Sequence, residues 1–300
     1  MKGLLRDTLT VLLPQRRRLW KDREKAFELH KRLLGEYQSL AELPKTSCDL
    51  SNLRHWDASA FNEFLADPNR EKEWSALKEK LELTTTPGMP GGVNRGDQRL
   101  IFHLVQYLQP RKVLEIGTHI GASTLHISSA LQNTGKQGTL TTVDIKDVND
   151  PNFKPWLLDG VRHSPEEMLK IAGAEQLVTF HVSDSVEFLK KSTESFDLIF
   201  LDGDHSSTAV YREIPLALER LSEGGIILLH DFFPSLEPLW PEEQIQDSMI
   251  HQSVISGPFL ACQRFEREKA GFCVLPFGAL PWTTKLGTNV TSLALVDHNR

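Results

Sequence analysis

The sequence predicts an α/β protein: a mainly parallel, doubly wound sheet with helices on both faces, preceded by a helical extension. Three observations predict it. From Gln98 onward, short apolar strands alternate with helical segments. One strand, Val113–Ile116, breaks at Gly117 and runs through Gly121 into a helix. The last two strands have only a loop between them. Regular βα alternation aligns strands in parallel, and right-handed crossovers place helices on both faces.

The extension comes first, over residues 1–90. Met1–Trp20 sets Leu4, Leu5, Leu9, Val11, Leu12 and Leu13 beside Arg6 and Arg16–Arg18. It reads as an ordinary helix packing on the domain, the alternative being an interfacial helix or a transit peptide, and Pro14 interrupts the pattern. Lys21–Tyr37 carries Phe27, Leu29, Leu33 and Leu34 at helical spacing. Ala58–Leu65 and Arg70–Leu83 make two more short helices. Asp67 caps the second, and Pro68 sits in its first turn. Thr84–Gly92 is rich in Pro and Gly and is the strongest break in the chain. The domain boundary falls there, leaving 91–300 as the α/β unit.

Within that unit, helix Gln98–Leu108 leads to strand Lys112–Ile116, and helix Ala122–Leu131 to strand Thr139–Val143. Helix Pro165–Ile171 leads to strand Leu177–Val182, and Val186–Lys191 to strand Phe196–Leu201. Helix Ala209–Leu221 leads to strand Gly225–Leu229. Phe272–Pro276 and Ser292–Val296 close the sheet. Their short connection makes them an antiparallel pair at one edge.

Composition narrows the function. With 40% hydrophobic and 25% charged residues the chain is an ordinary globular protein. A net charge of −6 argues against a broad nucleic-acid surface. No apolar run reaches the ~20 residues of a membrane span. Three cysteines, Cys48, Cys262 and Cys273, lack C-x-x-C spacing. They point to a reducing, cytoplasmic compartment and against a thiolate metal site.

The strand–turn–helix Val113–Thr124 brings a nucleoside ligand against bare backbone. Its glycines, Gly117 and Gly121, do not have the spacing of a dinucleotide fingerprint. Glu115, two residues before the first, would repel a pyrophosphate. It can attract the amino and sulfonium groups of S-adenosyl-L-methionine (SAM). The segment resembles motif I of the class I SAM-dependent methyltransferases, E-x-G-x-x-x-G, and the resemblance extends over roughly Gly91–Val296.

The resemblance implies a Rossmann-like, seven-stranded sheet of order 3-2-1-4-5-7-6. It implies cofactor contacts from Glu115, Gly117, Thr118, His119, Gly121 and Ser123 at the first turn. Asp144, ending the second strand, can accept two hydrogen bonds from a ribose diol. Asp184 and Ser185 follow the third strand, where the family meets adenine. Strand four ends in Asp202-Gly203-Asp204-His205, and strand five in His230-Asp231.

Two carboxylates on neighbouring strand ends repel each other and are suited to a divalent ion such as Mg²⁺ or Mn²⁺. Asp202, Asp231 and His230 are the candidate ligands, the imidazole tilting the choice toward Mn²⁺, Fe²⁺ or Zn²⁺. This pattern resembles the metal-dependent O-methyltransferases of the catechol-type, macrolide-sugar and cephalosporin-hydroxylase-related groups. His230 departs from the acidic residue those groups carry in its place. By the same resemblance His205, three residues after Asp202, is the general base, with Asp202 beside it in the catalytic set.

The reading is therefore an O-methyltransferase acting on the hydroxyl of a small-molecule acceptor, without nucleic acid or membrane span. Alternatives are a related fold doing non-methyl chemistry such as hydroxylation, and a non-catalytic SAM-binding protein. Acceptor contacts should come from Asp147–His163, Phe232–Gln252 and Phe277–Asn289. In the last, Trp282 is placed to stack and Lys285 is charged. The N-terminal helices could lid the site or pair subunits into a homo-oligomer.

Overall fold

The computed structural model describes residues 30–81, 92–236, 239, 255–285 and 287–299. Met1–Trp20 and most of the expected segment 21–37 lie outside the described residues. Helix α1 occupies residues 30–41. Helices α2 (Ala58–Ala66) and α3 (Pro68–Leu81) follow, with Asp67 alone between them. Then come α4 (Arg95–Leu108), β1 (Lys112–Ile116), α5 (Ala122–Asn133) and β2 (Thr139–Asp144). After α6 (Pro165–Ala172) come β3 (Val178–Val182), α7 (Ser185–Lys191), β4 (Phe196–Leu201), α8 (Ser207–Glu219) and β5 (Leu221–Leu229). The chain ends with α9 (Gly257–Glu268), β6 (Phe272–Pro276) and β7 (Ala294–His298).

The seven strands form one sheet of order β3-β2-β1-β4-β5-β7-β6. β1 to β5 pair in parallel, and β7 runs antiparallel to both β5 and β6. The order reverses between β1 and β4, which is where an open α/β sheet leaves a crevice for ligand. Backbone bonds align the carboxyl ends there. Gly117 N–H donates to the Val143 carbonyl at 2.8 Å, Asp202 N–H to Ile116 at 2.9 Å and His230 N–H to Leu201 at 3.1 Å.

Alternation along the strands divides the core between the two faces. Val113, Leu198, Phe200, Ile226 and Leu228 pack under α4, α5 and α6. Leu114, Ile116, Ile199, Leu201, Ile227 and Leu229 pack under α8 and α9. The N-terminal part joins both layers. Trp56, Phe61, Trp74 and Leu77 belong to the first. Leu40, Leu50 and Leu53 belong to the second.

Several boundaries differ from the sequence reading. α4 starts at Arg95, three residues earlier than expected, because Asn94 caps it by accepting from Gly96 N–H at 3.0 Å and Asp97 N–H at 3.1 Å. α8 ends at Glu219, and Leu221, expected as its last residue, begins β5. Helix α9 has no counterpart in the sequence reading. Pro258 sits in its first turn, and Leu260, Ala261, Cys262 and Phe265 are buried. No helix among the described residues is long and apolar enough to cross a membrane.

Candidate cofactor and catalytic site

A cavity of about 750 Å³ opens at the carboxyl ends of β1, β2, β4 and β5. That volume suits a ligand of nucleoside size together with an acceptor. Its floor is the turn after β1. Gly117 has φ +95°, and a β-carbon there would overlap the carbonyl of Asp202. Gly121, at φ +75°, caps α5 and lies against Pro165. Only glycine lets the turn pass this close to β4 while presenting bare backbone. Thr118 and Ser123 also line the cavity.

Asp144, at the end of the adjacent strand β2, lines the cavity beside this turn. Its Oδ2 accepts from His119 N–H at 2.9 Å and its Oδ1 from Lys146 N–H at 2.9 Å. Both oxygens are held in place and keep lone pairs for two hydroxyl donors. His119 sits in the left-handed region at φ +48°, and its Nε2 lies 3.4 Å from Asp159 Oδ2. Ile145, Trp156 and Leu158 add an apolar wall beside Asp144. Asp184 lines the cavity while capping α7 through Glu187 N–H at 3.0 Å. Ser185 donates to Glu213 Oε1. Burial pushes the Glu213 carboxyl up to about 7, so it is readily neutral beneath that wall.

Glu115 is not on the cavity wall. It shares the sheet face of Val113, so its side chain points under α5 and is fully buried. Its Oε2 accepts from Thr124 and Thr142 hydroxyls, each at 2.6 Å, and Thr142 in turn contacts Thr118 Oγ1 at 2.6 Å. Burial pushes its carboxyl up to about 7, against the lowering effect of hydrogen bonds from Ser123, Thr124 and Thr142. Its Oε2 braces the turn from beneath, and its buried Oε1 has no hydrogen-bond partner.

The far end of the cavity is carboxylate-rich. Asp202, His205 and Asp231 each present a ligand atom, and the three atoms lie within 4.8 Å of one another. His205 Nε2 is 3.4 Å from Asp231 Oδ2 and 3.7 Å from Asp202 Oδ1. The two carboxylates at this spacing fit a small divalent cation, and His205 Nε2 beside them carries the lone pair that a proton would take. Asp231 adopts φ +52°, a costly conformation for a non-glycine residue, and Ser292 Oγ lies 3.4 Å from its Oδ1.

His230, expected as a ligand, also lines the cavity but is not one of those three. Its Nδ1 is taken by Asp202 Oδ1 at 2.7 Å, and its Nε2 faces Asp97 Oδ2 at 3.5 Å. Burial opposes a charge on the ring, but the carboxylates of Asp202 and Asp231 outweigh it. The ring is held protonated well above the usual histidine range.

Asp97 is the functional neighbour that sequence reasoning missed. It is fully buried, accepts from Asn94 Nδ2 at 2.6 Å and leaves Oδ1 without a hydrogen bond. The signal is present in the sequence. Asp97 precedes Ile101 and Leu104 on the inward face of α4, where an acid requires a partner. Trp282, expected to stack on an acceptor, is committed elsewhere. Its Nε1–H donates to the Gly96 carbonyl at 3.0 Å and its ring lies under the Arg99 guanidinium at 4.3 Å. Lys285, from the same loop, does line the cavity.

Comparison with known proteins gives a consistent picture. A family model described as a methyltransferase domain matches residues 114–232. A caffeoyl-CoA O-methyltransferase of Stellaria longipes is 27% identical over 185 residues, covering 59% of this chain and 70% of that protein. A protein of Dictyostelium discoideum named "Probable caffeoyl-CoA O-methyltransferase 1" is 25% identical over 162 residues, covering 54% of this chain and 65% of its own length. Another Dictyostelium discoideum protein, named "Probable caffeoyl-CoA O-methyltransferase 3", is 29% identical over 182 residues, covering 57% of this chain and 61% of that protein. The matches to the Dictyostelium proteins thus span less than two thirds of those relatives.

Proposed function

We propose that this chain, a member of the class I SAM-dependent methyltransferases, transfers the methyl group of SAM to a hydroxyl oxygen of a small-molecule acceptor. One observation carries the reading. A single cavity joins Asp144 and the Gly117 turn, suited to a nucleoside, to the Asp202–His205–Asp231 cluster, suited to activating a hydroxyl.

The cofactor contacts would come from Gly117, Thr118, His119, Gly121, Ser123, Asp144, Asp184 and Ser185, with Glu115 acting from below. The acceptor hydroxyl would lie against the carboxylate cluster. Its oxygen attacks the methyl carbon as its proton passes to His205 Nε2. The O–C bond forms, the C–S bond breaks and S-adenosylhomocysteine leaves. Asp202 and Asp231 lie within 4 Å of His205 and stabilise the imidazolium so formed. Asp202 and Asp231 would also hold a divalent ion, Mn²⁺ or Mg²⁺, which supplies Lewis acidity and orientation.

The same reading keeps residues 1–90 as a helical extension on a domain over 91–300. It takes the protein as cytoplasmic and without a nucleic-acid partner, with the N-terminal helices available either to lid the site or to pair subunits.

The test is transfer of a labelled methyl group from SAM to catechol-bearing esters, with Mn²⁺, Mg²⁺ or EDTA. Turnover that falls at least 100-fold in His205→Asn, while S-adenosylhomocysteine still binds, supports the base. Turnover unaffected by His205→Asn excludes it, and turnover unaffected by EDTA excludes the ion.

A further inference from the structure

We propose that helix α1 is a working part of the site, with Glu36 a positioning residue that sets the loop carrying His205. The proposal rests on the reading of His205 as a site residue.

α1 lies outside the strand–helix alternation that builds the sheet, yet Glu36 reaches the first turn of α8. Ser207 N–H donates to Glu36 Oε2 at 2.7 Å, and the Ser207 hydroxyl donates to the Glu36 carbonyl at 3.0 Å. Ser207 is fully buried. The first amides of a helix have no partner within it, and a carboxylate is favoured at that end. The adjacent amides are also committed. Asp204 Oδ1 accepts from Ser206 N–H at 2.9 Å, and Ser206 Oγ from Ala209 N–H at 3.3 Å. His205 lies in the middle of this set of anchors.

α9 closes the arrangement from the other side. Gly257 packs so tightly on the loop that a β-carbon would overlap the His205 carbonyl. Further along α9, Arg264 donates to the carbonyls of Leu40 and Leu43, the latter at 2.8 Å, where α1 ends. Arg264 also pairs with Glu268 at 2.8 Å, and Glu268 accepts from the Tyr211 hydroxyl of α8 at 2.6 Å. α1, α8 and α9 therefore form a closed ring of polar contacts around the loop. Glu36 is not among the residues lining the cavity. Its influence on the site passes through Ser207 and the loop backbone.

Hydrogen–deuterium exchange on the intact chain, comparing wild type, Glu36→Ala and Glu36→Gln, tests this. In Glu36→Ala the peptide spanning residues 203–209 should exchange about tenfold faster, with β1 and β4 at wild-type rates. Glu36→Gln keeps an accepting oxygen and should restore the loop. In the labelled-methyl assay with a catechol ester, kcat should fall about tenfold in Glu36→Ala with KM for SAM unchanged. A loosened loop in a protein whose wild type transfers no methyl supports the positioning role and counts against the methyltransferase reading. A loop that keeps its wild-type rate in Glu36→Ala overturns the proposal. So does uniform acceleration of every peptide, which would make Glu36 a contributor to stability alone.

Discussion

His230 Nδ1 lies 2.7 Å from Asp202 Oδ1, so the residues just past the ends of two neighbouring strands are locked together as an ion pair. Asp97 faces the other ring nitrogen at 3.5 Å, and Asp231 lies 3.7 Å from Nδ1. One buried cation thus serves three carboxylates. Removing it leaves those charges without compensation, which costs about 3–5 kcal/mol in comparable buried pairs. His230→Ala should lower unfolding stability by about that amount in urea titration. A loss under about 1 kcal/mol would mean that the pair contributes little.

The buried carboxyl of Glu115 makes stability depend on pH. Its folded value of about 7 lies above the ordinary 4.5. Between those values the folded state binds more protons than the unfolded one, so stability falls as pH rises through that window. The full effect is on the order of 3 kcal/mol. Glu115→Gln keeps a neutral acceptor for Thr124 and Thr142 and removes the titration. The difference in stability between variant and wild type should therefore grow in the variant's favour from pH 4.5 to 7 and then level off. A difference independent of pH would show that Glu115 does not titrate in this range.

Two glycines separate backbone conformation from close approach. Gly117 at φ +95° has the Asp202 backbone against it, whereas a β-carbon added to Gly224, at φ +73°, would meet no atom within 4 Å. Gly224→Ala should cost about 1–2 kcal/mol, the left-handed penalty alone. Gly117→Ala should cost more than that and abolish binding of S-adenosylhomocysteine, because the turn must move off β4. Equal effects of the two substitutions in thermal unfolding and ligand titration would refute the close approach as the cause.

Much of the fold is legible because the sheet is written as alternation. Strands β1 to β4 and the closing pair can be read within a residue or two, since apolar runs bounded by turn residues leave little choice. The strand ends then bring Asp144, Asp202, His205 and Asp231 to one edge. What the sequence hides are relations across distance. The motif that contains Glu115 points it at the cofactor, yet the two-residue period of the strand turns it under α5 beside Val113. Strand order brings His230 near Asp202 and suggests a metal ligand, yet Asp97, on the distant helix α4, helps to fix its charge. Helix α9 and the bond from Glu36 to Ser207 depend on tertiary packing that no local pattern announces.

Binding of SAM in this cavity, through Asp144 at the end of β2, underlies every functional role proposed for the site. Calorimetric titration with SAM and S-adenosylhomocysteine, on wild type and Asp144→Ala, tests it most directly. The wild type should show saturable one-to-one binding, weakened at least tenfold in Asp144→Ala, with the two proteins equally folded. Absence of binding to the wild type, or equal affinity in both proteins, would contradict it.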